Sequence, residues 1–404
     1  MGFIRKGLTV VAVGVGLVLA FVAGLFIYVN ATATPLHPDP QQVKSVMESA
    51  PPQKWAGAAD QARPLVRTAM TKQNLPGLSV AVGAGGEIVW AEGFGEADID
   101  KGTPVTTKTR FRLGNVSIPL TSVAAGLLEE QHKLSLEGDI QKYVPEYPEK
   151  QWPVTVRQLM AQTAGVRNDA GDEESLSERC EKATDGVKRF ASDALRFEPG
   201  TRFSSSSYGW ILVSAAIEAA ANEPFFNFVQ KQIFDPLGMT ATRPYVWTDN
   251  IPDLPTFYFP RFGGDTRYGP ELAREGDQSC FAGAGAFLST PSDVVRFGLA
   301  LQSGKLLQPA TLQTLQTPQP LTSGDQTTYG LGWTLDTIPL AGTPAKMAGH
   351  DTRSDFIGGS TSLMTFPERG LVVVVTTNTS FADTKSIALA IAEAFAGQAS
   401  PARK

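Results

Sequence analysis

Residues 111–133 read FRLGNVSIPLTSVAAGLLEEQHK. Leu120, Val123, Ala124, Leu127 and Leu128 recur at helical spacing, which predicts a helix over 117–133 with one apolar side. Pro119 fits its first turn, where a missing N–H has no partner to lose. Ser117 is thereby expected at the N-terminal end of a buried helix, on the floor of a cleft, with its hydroxyl reachable.

Upstream, Ala58, Ala62, Leu65, Val66 and Met70 mark a helix from Trp55 to about Gln73, stopped by Asn74-Leu75-Pro76-Gly77. Leu78–Ala84 and Glu87–Gly93, joined by Gly85-Gly86, read as a β-hairpin. Downstream, 155–163, 208–221, 225–233 and 292–301 carry helical patterns, the last with Ser292 as its expected N-cap. Sheet character returns at 360–366 and 371–377, around Pro367-Glu368-Arg369-Gly370, before a closing helix over 384–396. Strands at both ends with helices between predict an α/β fold of α+β type. Its mainly antiparallel sheet is built from both chain ends around an inserted helical region.

The chain has 404 residues, 42% hydrophobic and 19% charged, a profile that excludes disorder for the bulk. A formal charge of −5 implies no general nucleic-acid affinity. Arg5 and Lys6 precede an uncharged apolar run from Leu8 to Val29, about 33 Å long as a helix and sufficient to cross a bilayer. A cleavable signal peptide ending near Asn30-Ala31-Thr32-Ala33 is the competing reading, but its apolar region is usually only ~7–15 residues long. The expected organisation is a cytoplasmic N-terminus (1–7), a single-pass transmembrane signal anchor (8–29), a Pro/Gln/Ser-rich linker (30–54), one domain (55–398) and a tail (399–404). The positive-inside rule then exports the domain to a periplasmic or extracellular side.

Two cysteines occur, Cys180 and Cys280. In an exported protein they form either one disulfide, the favoured reading, or two buried thiols. The three histidines, His37, His132 and His350, lie far apart in the sequence and no CxxC pair exists, so neither a metal site nor a cofactor is expected.

Several stretches, in order, carry a family resemblance: FRLGNVS (111–117), KLSLEGDIQKYVPEYPEK (133–150), VTVRQLMAQTAG (154–165), FEPGTRFS (197–204), DPLGM (235–239), GAGAFLSTPSDVVRF (283–297), YGLGW (329–333) and Gly349-His350. Together they resemble the serine β-lactamase and penicillin-binding-protein superfamily, class C-like, and within it the mitochondrial serine β-lactamase-like branch with its bacterial relatives. The resemblance implies that fold and an acyl-enzyme chemistry. A serine in S-x-x-K attacks an acyl carbon, activated by the lysine one helical turn on. A tyrosine in Y-x-N shuttles a proton, and an H-T-G or K-T-G strand completes the oxyanion hole.

The chain matches this pattern at the nucleophile, Ser117, and at His350, and departs from it elsewhere. Leu120 stands at the lysine position. Ser205, Ser206 and Ser207 stand at the Y-x-N positions, with Tyr208 three residues late and expected to start the next helix. His350-Asp351-Thr352 replaces H-T-G. A leucine accepts no proton, and one general base is worth ~10²–10⁴ in rate. The serine run is either a solvated loop or a set of hydroxyls, Ser205 and Ser207 among them, that contact substrate. Arg353 is a further candidate for the substrate or oxyanion side.

The expectation is a membrane-anchored, β-lactamase-related protein with a degenerate site, a pseudoenzyme that binds a peptide, cell-wall-like or ester ligand. The alternative is an active serine hydrolase using Ser117 with His350 as base and Asp351 or Asp355 orienting it. If only the proton-transfer groups were missing, Leu120→Lys with Ser205→Tyr would restore acylation.

Overall fold

The computed structural model describes residues 2–168, 179–274, 276–352 and 358–398. Its centre is an antiparallel sheet to which both ends of the chain contribute. The strands along its continuous path, in chain order, are β1 (Ser45–Met47), β2 (Gly77–Ala84), β3 (Glu87–Asp98), β4 (Thr334–Leu340), β5 (Thr343–Thr352), β6 (Ser360–Phe366) and β7 (Leu371–Thr377), and the short segment Thr103–Pro104 also pairs with β3. In space they run β1-β3-β2-β7-β6-β5-β4. The N-terminal hairpin meets the C-terminal strands where β2 pairs with β7, Val80 opposite Val375.

Strand β7 shows why the sheet lies at the centre. Its sequence LVVVVTT is buried throughout, as both faces of the sheet are covered. Successive side chains point to opposite faces, so Val372 and Val374 join the helical region while Leu371, Val373 and Val375 join the opposite layer. That opposite layer is made of helices α2 (Gln53–Gln73) and α6 (Thr384–Ala396). There Phe395 of α6 stacks between Trp55 and Trp90, at centroid distances of 5.9 and 5.8 Å. The inserted region carries α3 (Ser117–Glu130), α4 (Ser207–Ala221) and α5 (Pro291–Gln302) on the other face. An apolar N-terminal helix, α1 (Gly2–Thr32), precedes the domain.

Three sequence expectations need correction. Sheet character does not wait for residue 360. Strands β4 and β5 come earlier, and β5 escapes pattern reading because it mixes Lys346, Gly349, His350 and Asp351 with apolar residues. The N-cap of α5 is Thr290, whose hydroxyl accepts the Asp293 N–H at 3.3 Å, and not Ser292. Residues 45–47, assigned to the linker, pair with β3, and Val43 beside them is buried, so this segment belongs to the domain.

Cys180 and Cys280 are bonded, with Cα atoms 4.8 Å apart. The bond joins segments 100 residues apart beside α4. Arg353 and Asp355 lie outside the described residues.

Candidate active site

Ser117 opens α3 after a single 3-10 turn over Gly114–Val116, as the spacing predicts. That turn is fastened to β5: Thr352 Oγ1 donates to Leu113 O at 2.8 Å and accepts the Val116 N–H at 3.3 Å. One helical turn on, Thr121 Oγ1 lies 3.1 Å from Ser117 O and 2.9 Å from Gly283 O. Gly283 permits this approach, because a Cβ there would stand 2.1 Å from Thr121 Oγ1.

The serine is held but enclosed. Ser117 is fully buried, and its Oγ makes no hydrogen bond among the described residues. The expectation of a reachable hydroxyl is therefore not met. Leu120, at the lysine position, is 1% exposed and packs in the main core cluster with Val123 and Ala124. Leu120 itself carries no group that could take the serine's proton.

The serine run divides three ways. Ser205 is exposed. Ser206 is the N-cap of α4: its Oγ accepts the Gly209 N–H at 3.0 Å and donates to Arg167 O at 2.8 Å, while its own N–H donates to Gln162 Oε1 at 2.7 Å. Ser207 begins the helix, its N–H donating to Asn168 Oδ1 at 3.0 Å. Tyr208 lies inside the same helix, its buried ring stacked 4.5 Å from Phe190.

His350 lies on β5 beyond the reach of β4, whose first residue, Thr334, pairs with Gly349. Both neighbours pair with the strand at Ala348 and Gly349, and from His350 to Thr352 it pairs with β6 alone among the described residues. The imidazole is bonded at both nitrogens, Nδ1 to Asp351 O at 3.1 Å and Nε2 to Tyr329 Oη at 3.1 Å. A carbonyl only accepts, so Nδ1 carries the proton and Nε2 accepts from the phenol. Desolvation lowers the His350 pKa below its ordinary value, partly opposed by the Asp351 carbonyl and charge, which favours this neutral form. Burial raises the pKa of Tyr329, partly opposed by the Gln162 and Trp210 side chains, so it is a neutral donor.

Tyr329 is the site residue that sequence reasoning passed over. Its only signal was membership of YGLGW (329–333), a loop that the structure fixes to α3. Ser122 Oγ donates to Leu331 O at 2.5 Å, and Trp333 Nε1 donates to Ser122 Oγ at 3.2 Å. Phe203, 43% exposed, rests its ring 5.4 Å from Tyr329 at the outer side. The candidate groups are therefore an enclosed serine at the start of α3 and a Tyr329–His350 pair with the exposed Phe203 ring against Tyr329.

Comparison with known proteins agrees with this architecture. The bovine mitochondrial serine beta-lactamase-like protein LACTB is 26% identical over 86% of this chain and 81% of its own length. The human protein of that name is 26% identical over 84% and 80%. Among solved structures, the octameric penicillin-binding protein homologue from Pyrococcus abyssi superposes with a TM-score of 0.68 at 21% identity, covering 82% of this chain and 76% of that one. FmtA from Staphylococcus aureus gives 0.67 at 20%, covering 86% and 92%. These likenesses speak for the fold. The family model for beta-lactamase matches residues 62–397, nearly all of the domain that carries Ser117, Tyr329 and His350, and the chain belongs to the beta-lactamase family of serine hydrolase-like proteins.

Proposed function

We propose that this protein has kept the family's cleft and lost its standard acyl-enzyme chemistry, and that it binds a peptide, cell-wall-like or ester ligand. The observation that carries the proposal is the pairing of a buried, unbonded Ser117 Oγ with Leu120 in the core. A serine hydroxyl is a weak nucleophile without a base. The other candidate base, His350, has its lone pair occupied by Tyr329. The exposed Phe203 ring over Tyr329 supports the ligand-binding half, since an exposed aromatic beside polar groups suits recognition of a peptide or acyl chain.

The second reading is an active hydrolase with His350 as base. One observation favours it: desolvation lowers the imidazole pKa, which favours the neutral form that accepts a proton. A fluorescent penicillin and a fluorophosphonate probe separate the two readings. No Ser117-dependent labelling is expected. Labelling that disappears in Ser117→Ala would establish the hydrolase.

The apolar α1 is read as a retained single-pass anchor rather than a cleaved signal, with Arg5 and Lys6 on the cytoplasmic side and the domain exported. A helical segment from Val13 to Thr32 of mean hydropathy 2.2, of which 6% is buried, supports a membrane-crossing length, and the uncharged run from Leu8 to Val29, longer than the ~7–15 residues of a signal's apolar region, favours the anchor.

A further inference from the structure

We infer that the hairpin formed by residues 258–260 and 270–272, with the turn between them, is a membrane-contact surface that seats the domain directly on the lipid headgroups. The inference rests on the reading of α1 as a retained anchor.

The joint between α1 and the domain is tied rather than loose. Arg261 donates to Thr32 O at 3.1 Å and to Thr32 Oγ1 at 2.9 Å, where α1 ends. Asn74, at the end of α2, accepts the Leu36 N–H at 2.7 Å and donates to Thr34 O at 3.2 Å. The same side-chain amide reaches Arg267 O at 3.4 Å. Val29 is 5% exposed, whereas Leu17 and Phe21 higher up the helix are 67% and 71% exposed.

Depth follows from helix geometry. Phe26 sits three residues inside the last apolar residue, Val29, or about 4.5 Å along the axis. Its ring meets the edge of Tyr268 at 6.3 Å, and Tyr268 meets Phe262 at 5.8 Å. Rings that touch the apolar run at that height stand in the zone where aromatic side chains collect at a bilayer surface. Two cations, Arg261 and Arg267, flank them, and the Asp265 carboxylate is paired with Arg267. Leu272 on the same hairpin is 66% exposed. Continuity with the apolar helix makes the occupant a bilayer: a protein partner at this face would have to displace the lipid around Phe26.

The test uses the full chain reconstituted in phosphatidylcholine–phosphatidylglycerol vesicles, with an environment-sensitive dye on Phe262→Cys. The two native cysteines are bonded and do not take the dye. The reference site is Lys305→Cys, exposed and at the opposite end of the sheet. Its neighbour Gln302 bonds Leu371 O at one end of β7, while the other end pairs Thr377 with Leu78, next to Gly77 and Pro76. The Phe262 label is expected to be quenched severalfold more by nitroxide lipid, and less by aqueous iodide, than the Lys305 label. A label on Arg267→Cys, at a position whose native side chain is 70% exposed, gives the same pattern if the surface is right. Equal iodide access at both ends, in protein that stays with the vesicles through an alkaline carbonate wash, would overturn the seating alone. Release by carbonate would overturn the anchor reading itself, and the inference with it.

Discussion

Tyr329 Oη lies 3.1 Å from His350 Nε2, joining a loop residue to a strand residue that pattern reading treats separately. The phenol donates and the imidazole accepts, which occupies the only lone pair on that ring able to act as a base. For His350 to serve as the base, Tyr329 would have to be displaced first.

His350 should make the protein lose stability as pH falls through the mildly acidic range. Its folded pKa lies below the ordinary 6.5, so between those values the unfolded chain binds a proton that the folded one refuses. Stability is unaffected above about pH 7.5, falls below 6.5 and levels off under the folded pKa. Carboxylates such as Asp98, lowered to about 2 by Lys101, act only at lower pH. Melting curves between pH 7.5 and 5.5 should show a steeper fall for the native chain than for His350→Gln, and parallel curves would remove His350 as the cause.

Leu120→Lys should destabilise by about 3 kcal/mol or more, since it buries an unpaired charge in the core. Adding Ser205→Tyr should not restore acylation, because position 205 is exposed and Ser117 Oγ is enclosed. Thermal melts and penicillin labelling of both variants check this. A labelled, stable double variant would show that only the missing proton-transfer groups silence the serine.

Thr352→Val keeps the shape and deletes the hydroxyl that serves both Leu113 O and Val116 N–H. A loss of about 1–3 kcal/mol is expected in urea unfolding, with Thr352→Ser retaining most of the hydrogen-bonding share. An undiminished stability in Thr352→Val, beside a loss in Thr352→Ser, would show that the methyl matters and the hydroxyl does not.

Ser206→Ala should cost about 1 kcal/mol through the lost cap of α4, and Ser205→Ala almost nothing. Ligand affinity should respond in the opposite order if Ser205 contacts the ligand. Denaturation and binding measured on the same two variants decide it.

Reducing the Cys180–Cys280 bond should lower stability by about 2–4 kcal/mol, because the closed loop spans 100 residues. Dithiothreitol should lower the melting temperature of the native chain and leave a Cys180→Ala/Cys280→Ala double variant unchanged.

The elements that rest on local periodicity were legible in the sequence. The hairpin at 78–93, the helix opened by Ser117 and the terminal strands 360–366 and 371–377 all follow from apolar spacing and turn residues, which act over a few positions. The replacement of lysine by Leu120 was equally plain, since residue identity needs no fold. What tertiary structure decided lay between distant segments. Strand β5 is held by β4 over residues 343–349 and by β6 over 348–352, so its polar residues are tolerated without a strand-like pattern. The enclosure of Ser117, the division of labour within the serine run and the Tyr329–His350 bond each depend on which segments pack together. A sequence names the groups that can donate, accept or attack, but only the packed chain sets the distances and the desolvation that determine whether they do.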